Sequence, residues 1–114
     1  MNHANAILII KALDGLAARQ TATAENIANA STPNYRPLRV SFENALKTAA
    51  SSGEDAVQQL TFKADPAVAG TGDAKLRLDL ELATASTTAT RYEALIDIFD
   101  RQMQMDSIAA KGGD

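Results

Sequence analysis

The residues of this 114-residue chain that could do acid–base or metal chemistry are few and poorly placed for it. General acid–base catalysis needs a histidine or carboxylates that converge in an apolar pocket. His3 is the only histidine, and it lies in a terminus that we expect to fray. Glu54-Asp55 falls in a predicted loop, and Asp79 with Glu81 falls on an alternating polar face, so we interpret both pairs as solvated. The sequence therefore predicts no catalytic residue, no metal site and no cofactor.

Charge and composition indicate which classes of binding partner are not expected for this chain. The net charge of -3 is spread along the chain, whereas nucleic acid and anionic membranes are bound by clustered Lys and Arg. Gly70-Thr71-Gly72 lacks the following lysine of a phosphate loop. We therefore expect no nucleic acid and no small-molecule substrate as partner. The residues are 46% hydrophobic but only 4% aromatic, and alanine buries little area, so a thick core is not expected.

The N-terminal part of the sequence predicts one amphipathic helix over residues 5–31. Its apolar and small residues recur at alternating spacings of four and three, which is an a/d pattern over about three heptads. Alanine and Gln20 fill several of these positions, so the helix should need a partner to be stable. Periodicity alone leaves open whether that partner is the second helix of the same chain or a neighbouring subunit. The positions predicted to pack are Ile10, Leu13, Ala17, Ala24 and Ile27.

A proline turn follows this helix. Thr32 precedes Pro33, and a residue before proline is disfavoured in the α region, so the helix must stop near Ser31. Pro33 and Asn34 suit the second and third positions of a type II turn. The third position needs a positive φ, which Asn tolerates best after Gly. We therefore predict a positive φ at Asn34.

The middle of the chain, residues 32–83, predicts a turn, short strands and flexible loop. Leu38, Val40 and Phe42 alternate with polar residues and indicate a short strand. Residues 43–49 could add a turn or two of helix, and the composition of 48–59 is typical of a flexible loop. A second small strand is predicted around residues 60–62, and residues 65–66 indicate a turn.

A second amphipathic helix is predicted over residues 84–111. The strict alternation of residues 75–82 favours a half-buried strand by periodicity alone. Gly112-Gly113 should end the helix. The stripe predicted to pack consists of Tyr92, Leu95, Phe99 and Met103.

The segment 24–36 resembles the N-terminal signature of bacterial flagellar axial proteins, whose pattern is close to Ala-x-Asn-Ile-Ala-Asn-x-x-Thr-Pro-Gly-Tyr-Lys. Asn34 stands where the family usually has Gly, and Arg36 stands where it usually has Lys. Residues 12–20, 39–46 and 91–96 resemble the proximal rod subunit of the flagellar basal body. The signature positions in this chain are Asn26, Asn29, Thr32, Pro33, Asn34 and Tyr35.

This resemblance implies a structural rod subunit and not an enzyme. It implies a mainly α fold in which long N- and C-terminal helices form a coiled-coil pair around a small extended or disordered middle. It also places the start of the last helix near residues 79–83, so we expect an extended segment to about Asp79 and helix thereafter. It also implies self-assembly with other rod proteins into a torque-transmitting hollow shaft, and contact with the membrane-ring/rod junction adaptor and the flagellar export gate. The location implied is the periplasmic rod, reached without a cleaved signal peptide. Two alternatives remain: another flagellar rod component, and a soluble helical-hairpin adaptor or chaperone.

Overall fold

The computed structural model describes residues 1–67 and 74–112, and this part is mainly helical. The predicted fold class, with a long helix near each end of the chain, is confirmed. The elements are α1 (His3–Ala28), β1 (Leu38–Arg39), α2 (Glu43–Ser52), α3 (Glu54–Gln59), β2 (Asp65–Pro66) and α4 (Ala74–Gly112).

The two long helices lie antiparallel and pack along most of their length. Asn26 near the end of α1 bonds to Glu81 near the start of α4, and the amino group of Met1 contacts Asp106 near the end of α4. Between residues 79 and 112, the positions of α4 that are not exposed recur at spacings of four and three, which is the heptad spacing of a coiled coil. These residues form the heptad face of α4: Glu81, Ala85, Thr88, Tyr92, Leu95, Phe99, Gln102 and Asp106.

The middle segment packs against α1 around Phe42. Leu16, Ala22, Val40 and Phe42 form the buried core cluster, and the ring of Phe62 lies 5.4 Å from that of Phe42. Strands β1 and β2 pair antiparallel beside it, with Leu38 opposite Pro66. The helix α1 therefore lies between α4 and the middle segment.

Local chemistry explains where α1 begins and ends. The side chain of Asn2 accepts a hydrogen bond from the Asn5 amide at 2.8 Å and so caps the first turn. At the other end the helix closes at Ala28, before the proline turn, whereas the sequence predicted an end near residue 31. Neither α1 nor any other described helix is long and apolar enough to cross a membrane.

Three predictions for the middle and for α4 are wrong. Residues 48–59 are not a flexible loop: except for Gly53 they belong to α2 and α3, because alanines favour helix there and Ala49 and Val57 are buried. The second strand is at residues 65–66 and not at 60–62, since Phe62 turns inward to pack on Phe42. The extended segment expected to Asp79 is helical, and α4 begins at Ala74 instead of near residue 84.

Candidate functional site

The signature residue Asn26 connects three parts of the fold. It is 2% exposed, and its Nδ2 donates to the Leu38 carbonyl at 2.9 Å and to Glu81 Oε2 at 3.1 Å. Its Oδ1 accepts from the Leu38 amide at 2.7 Å and from the Tyr35 hydroxyl at 2.9 Å. Both donors and both acceptor positions of the amide are therefore used. Asn26 thus holds α1, β1 and α4 together.

Glu81 is the acidic partner in this network and is 4% exposed. Its Oε1 accepts a hydrogen bond from Arg39 Nη1 at 2.6 Å, which pairs the buried carboxylate with a charge from β1. The interpretation of Glu81 as a solvated residue is therefore wrong. It rested on a period-two alternation, whereas the residue lies in a helix and on its packed face.

Tyr35 closes the network from the turn. Burial raises the pKa of the Tyr35 hydroxyl, and the negative charges of Glu25 and Glu81 raise it further. The hydroxyl therefore stays protonated and can donate to Asn26. This contact ties the residue after the proline turn back to α1.

The positive φ predicted at Asn34 is confirmed. Asn34 has a φ of 62°, the only positive φ of a non-glycine residue among those described, and the Tyr35 amide donates to the Thr32 carbonyl at 3.3 Å. The Thr32 hydroxyl donates to Asn29 Oδ1 at 3.1 Å, and Asn29 Nδ2 donates to the Glu25 carbonyl at 2.9 Å. The two signature residues before the proline therefore bond the turn to the last turn of α1.

Asn34 offers a direct test of this turn. Replacing it with Gly should leave the free energy of unfolding nearly unchanged, because Gly adopts positive φ freely. Asn34→Val should lower it by about 1–2 kcal/mol, because a β-branched residue is strained there. Urea denaturation of the two variants measures the difference. Equal stability of the Val and Gly variants would contradict the positive φ.

A second polar cluster joins α1 to the start of α2. Arg19 donates from Nε and Nη2 to the Val40 carbonyl and from both terminal nitrogens to the carboxylate of Glu43, at 2.7 and 3.0 Å. Its guanidinium also lies 4.7 Å from the centroid of the Phe42 ring. The hydrogen bonds from Arg19 hold the pKa of Glu43 down at about 2.

This lowered pKa makes a prediction about acid stability. A carboxyl whose folded pKa lies below its ordinary value of 4.5 stabilises the fold above that value, and its contribution is lost as the pH falls toward about 2. Glu43→Gln should therefore be less stable than the parent near neutral pH, and the two should converge as the pH approaches 2. Urea denaturation at a series of pH values measures this. A stability difference that does not change with pH would contradict the pairing.

Some of the predicted packing positions lie on the packed faces of the two long helices, and others are exposed. Tyr92, Leu95 and Phe99 belong to the heptad face of α4, whereas Met103 is 50% exposed. On α1, Leu13 and Ile27 are partly buried. The exposed predicted positions of α1 are Ile10, Ala17 and Ala24, and the residues just before them, Ile9, Leu16 and Thr23, are partly or fully buried.

Sequence reasoning missed several residues that the structure places in these clusters. If residues 81–106 are treated as one helix whose packed positions recur at spacings of four and three, Glu81 falls on the packed face. Arg19 and Glu43 carry no such signal, because they are far apart in sequence and meet only through the fold. The residues missed are Arg19, Arg39, Glu43 and Glu81.

In the comparison with protein families, residues 10–36 match a family described as flagella basal body rod protein. These residues cover most of α1 and the proline turn through Arg36, so the match contains Asn26, Tyr35 and the signature turn, whereas Leu38, Arg39 and Glu81 of the network lie outside it. It confirms the resemblance to flagellar basal-body rod proteins. Comparisons with curated proteins and with solved structures give no match.

Proposed function

From the match of residues 10–36 to the flagellar basal-body rod family, a family of structural and not enzymatic proteins, we propose that this chain is a subunit of the proximal rod. The match supports a structural component of the rod that assembles with other axial proteins. In the finer proposal, copies of the chain and its rod neighbours form the hollow, torque-transmitting shaft. Contacts between unlike faces that do not close on themselves generate such a helical tube.

The observation that carries the assembly is the apolar surface left outside the helix pair. Burying one large apolar side chain is worth about 1.5–3 kcal/mol, so a neighbour that covers several of them is bound favourably. On α4, Ile96 and Met103 are seven residues apart, and so are Ile98 and Met105, so each pair lies along one side of the helix. The exposed large apolar residues are Ile10, Leu80, Leu82, Ile96, Ile98, Met103, Met105 and Ile108.

The location and remaining partners follow from the same family. The subunit would lie in the periplasmic rod of the basal body, in contact with the adaptor that joins the rod to the membrane ring and with the export gate below it. It would reach this place through the flagellar export apparatus. These relations rest on the family resemblance, which covers α1 from Ile10 and the proline turn through Arg36.

Charge substitutions on the outer faces test the assembly. Ile10→Asp and Met103→Asp should leave the helix content of the isolated chain at the parent's value, because both side chains are about half exposed, at 47% and 50%. They should abolish rod assembly and swimming in a motile host, because assembly would bury the new charge. Gln104→Asp adds the same charge beside Met103 at an exposed position and is the control. Electron microscopy of basal bodies carrying the labelled chain provides the readout. Normal assembly of both charged variants would refute the proposal.

A soluble adaptor or chaperone remains the second candidate, favoured by the exposed Ile and Met side chains of α4. Such a protein would be a compact, cooperatively melting monomer that captures a partner helix. A rod subunit should instead lose helix at its ends when isolated, since its thin interface does not offset the ordering entropy. Circular dichroism and light scattering of the purified chain distinguish the two.

A further inference from the structure

The heptad face of α4 has large apolar residues only in its middle. Tyr92, Leu95 and Phe99 are flanked toward the start of the helix by Ala85 and Thr88, which bury little area. A heptad pattern coincides with itself after a slide of seven residues, or about 10 Å along the helix. Apolar packing alone therefore discriminates weakly between the observed register of the two helices and a slipped one.

The polar contact at the start of α4 does discriminate between registers. Glu81 is buried, and its two oxygens bind Asn26 Nδ2 at 3.1 Å and Arg39 Nη1 at 2.6 Å. Asn26 is itself fixed by two hydrogen bonds to the backbone of Leu38. The acceptor and its donors therefore meet only when residue 81 lies beside residue 26.

We infer that Glu81 is the residue that sets the register of α4 against α1. A slide of one heptad would remove its carboxylate from both donors, and a buried charge without partners is strongly unfavourable. It would also leave Asn26 Nδ2 without its acceptor on α4. A single polar residue at a heptad position is known to specify register in coiled coils, at some cost in stability. This inference concerns the helix pair of the single chain and does not depend on the proposed function.

Engineered thiols can report the register, because the chain has no cysteine of its own. Ala17 and Ala89 line the same groove between α1 and α4, so Ala17→Cys with Ala89→Cys marks the observed register. A slide of one heptad in either direction brings Ile96 or Leu82 to the place of Ala89. Ala17→Cys with Ile96→Cys, or with Leu82→Cys, therefore marks a slipped register. A short thiol cross-linker at low protein concentration measures the yield of each pair within one chain.

Three variants at Glu81 decide the question. In Glu81→Leu and in Glu81→Ala, the ratio of slipped to observed cross-links should rise by about tenfold or more, while circular dichroism shows that the helices remain. A tenfold ratio corresponds to about 1.4 kcal/mol of register preference. Glu81→Gln keeps an oxygen that accepts from Asn26 but loses the charge that pairs with Arg39, so its ratio should lie between those of the parent and the Leu variant. The matched control, Asp79→Leu, removes an exposed carboxylate two residues away and should also leave the ratio unchanged.

Two outcomes would overturn the inference. One is an unchanged cross-link ratio in both the Leu and Ala variants of Glu81 that retain helix. The other is an equal rise in the Asp79→Leu control, which would show that the ratio responds to charge or hydrophobicity at large. Because the readout is a ratio of registers, a general loss of stability does not imitate the expected result.

Discussion

Asn26→Asp should lower the free energy of unfolding by about 3–5 kcal/mol, the cost of an uncompensated buried charge. The change is nearly isosteric, so packing is preserved, and only the charge and the hydrogen-bonding pattern alter. An oxygen would replace Nδ2 and face two acceptors, the Leu38 carbonyl at 2.9 Å and Glu81 Oε2 at 3.1 Å. The Glu81 carboxylate would add repulsion between like charges. Urea denaturation followed by circular dichroism measures the loss.

Two variants separate this effect from that of an added charge. Asn44→Asp makes the same substitution at an exposed position in the first turn of α2, where a negative charge is favourable. It should change the stability by less than about 0.5 kcal/mol. Tyr35→Phe removes one hydrogen bond to Asn26 and should cost about 0.5–1.5 kcal/mol. If Asn26→Asp were as stable as Asn44→Asp, the amide of Asn26 would not be oriented as described.

The features predicted correctly from the sequence are those governed by local rules. A residue before proline leaves the α region, and Asn is the side chain that best tolerates positive φ after Gly, so the turn at Pro33 and Asn34 followed from two residues. The long amphipathic helices followed from spacing over many residues. The resemblance to rod proteins added the pairing of the two helices, which periodicity alone had left open.

The predictions that were wrong concern segments whose conformation or burial depends on tertiary contacts. Residues 75–82 alternate between apolar and charged side chains, yet they belong to α4. The hydrogen bond between Glu81 of α4 and Asn26 of α1 is a tertiary contact that the local alternation does not indicate. On α1 the buried face is wider than a two-helix interface, since α4 and the middle segment pack on the same helix. A sequence pattern cannot specify a second neighbour whose position depends on Phe42 and Arg19.

Gly15 makes a tertiary contact of this kind, and Gly15→Ala is the second substitution for which we expect a large change in stability. An ideal Cβ at this position would lie 2.5 Å from Cγ and 2.6 Å from Cδ2 of Phe42. The ring has little room to move, because it is 4% exposed, packs on Phe62 and lies beneath the Arg19 guanidinium. Helix propensity favours Ala over Gly by about 1 kcal/mol, whereas overpacking a core costs about 1–3 kcal/mol. Gly15→Ala should therefore destabilise the protein despite its better helix propensity.

A double-mutant cycle of Gly15→Ala with Phe42→Ala shows whether helix propensity or overpacking against the Phe42 ring dominates the change in stability. Phe42→Ala alone should cost about 3–5 kcal/mol, the usual loss for a buried phenylalanine. In that background the obstruction is gone, so Gly15→Ala should become stabilising by up to about 1 kcal/mol. The sign reversal, measured by urea denaturation of the four proteins, isolates the coupling between the two residues. If Gly15→Ala were stabilising in the parent and in the Phe42→Ala background alike, the ring would not press against α1, and α1 and the middle segment would pack less closely than described.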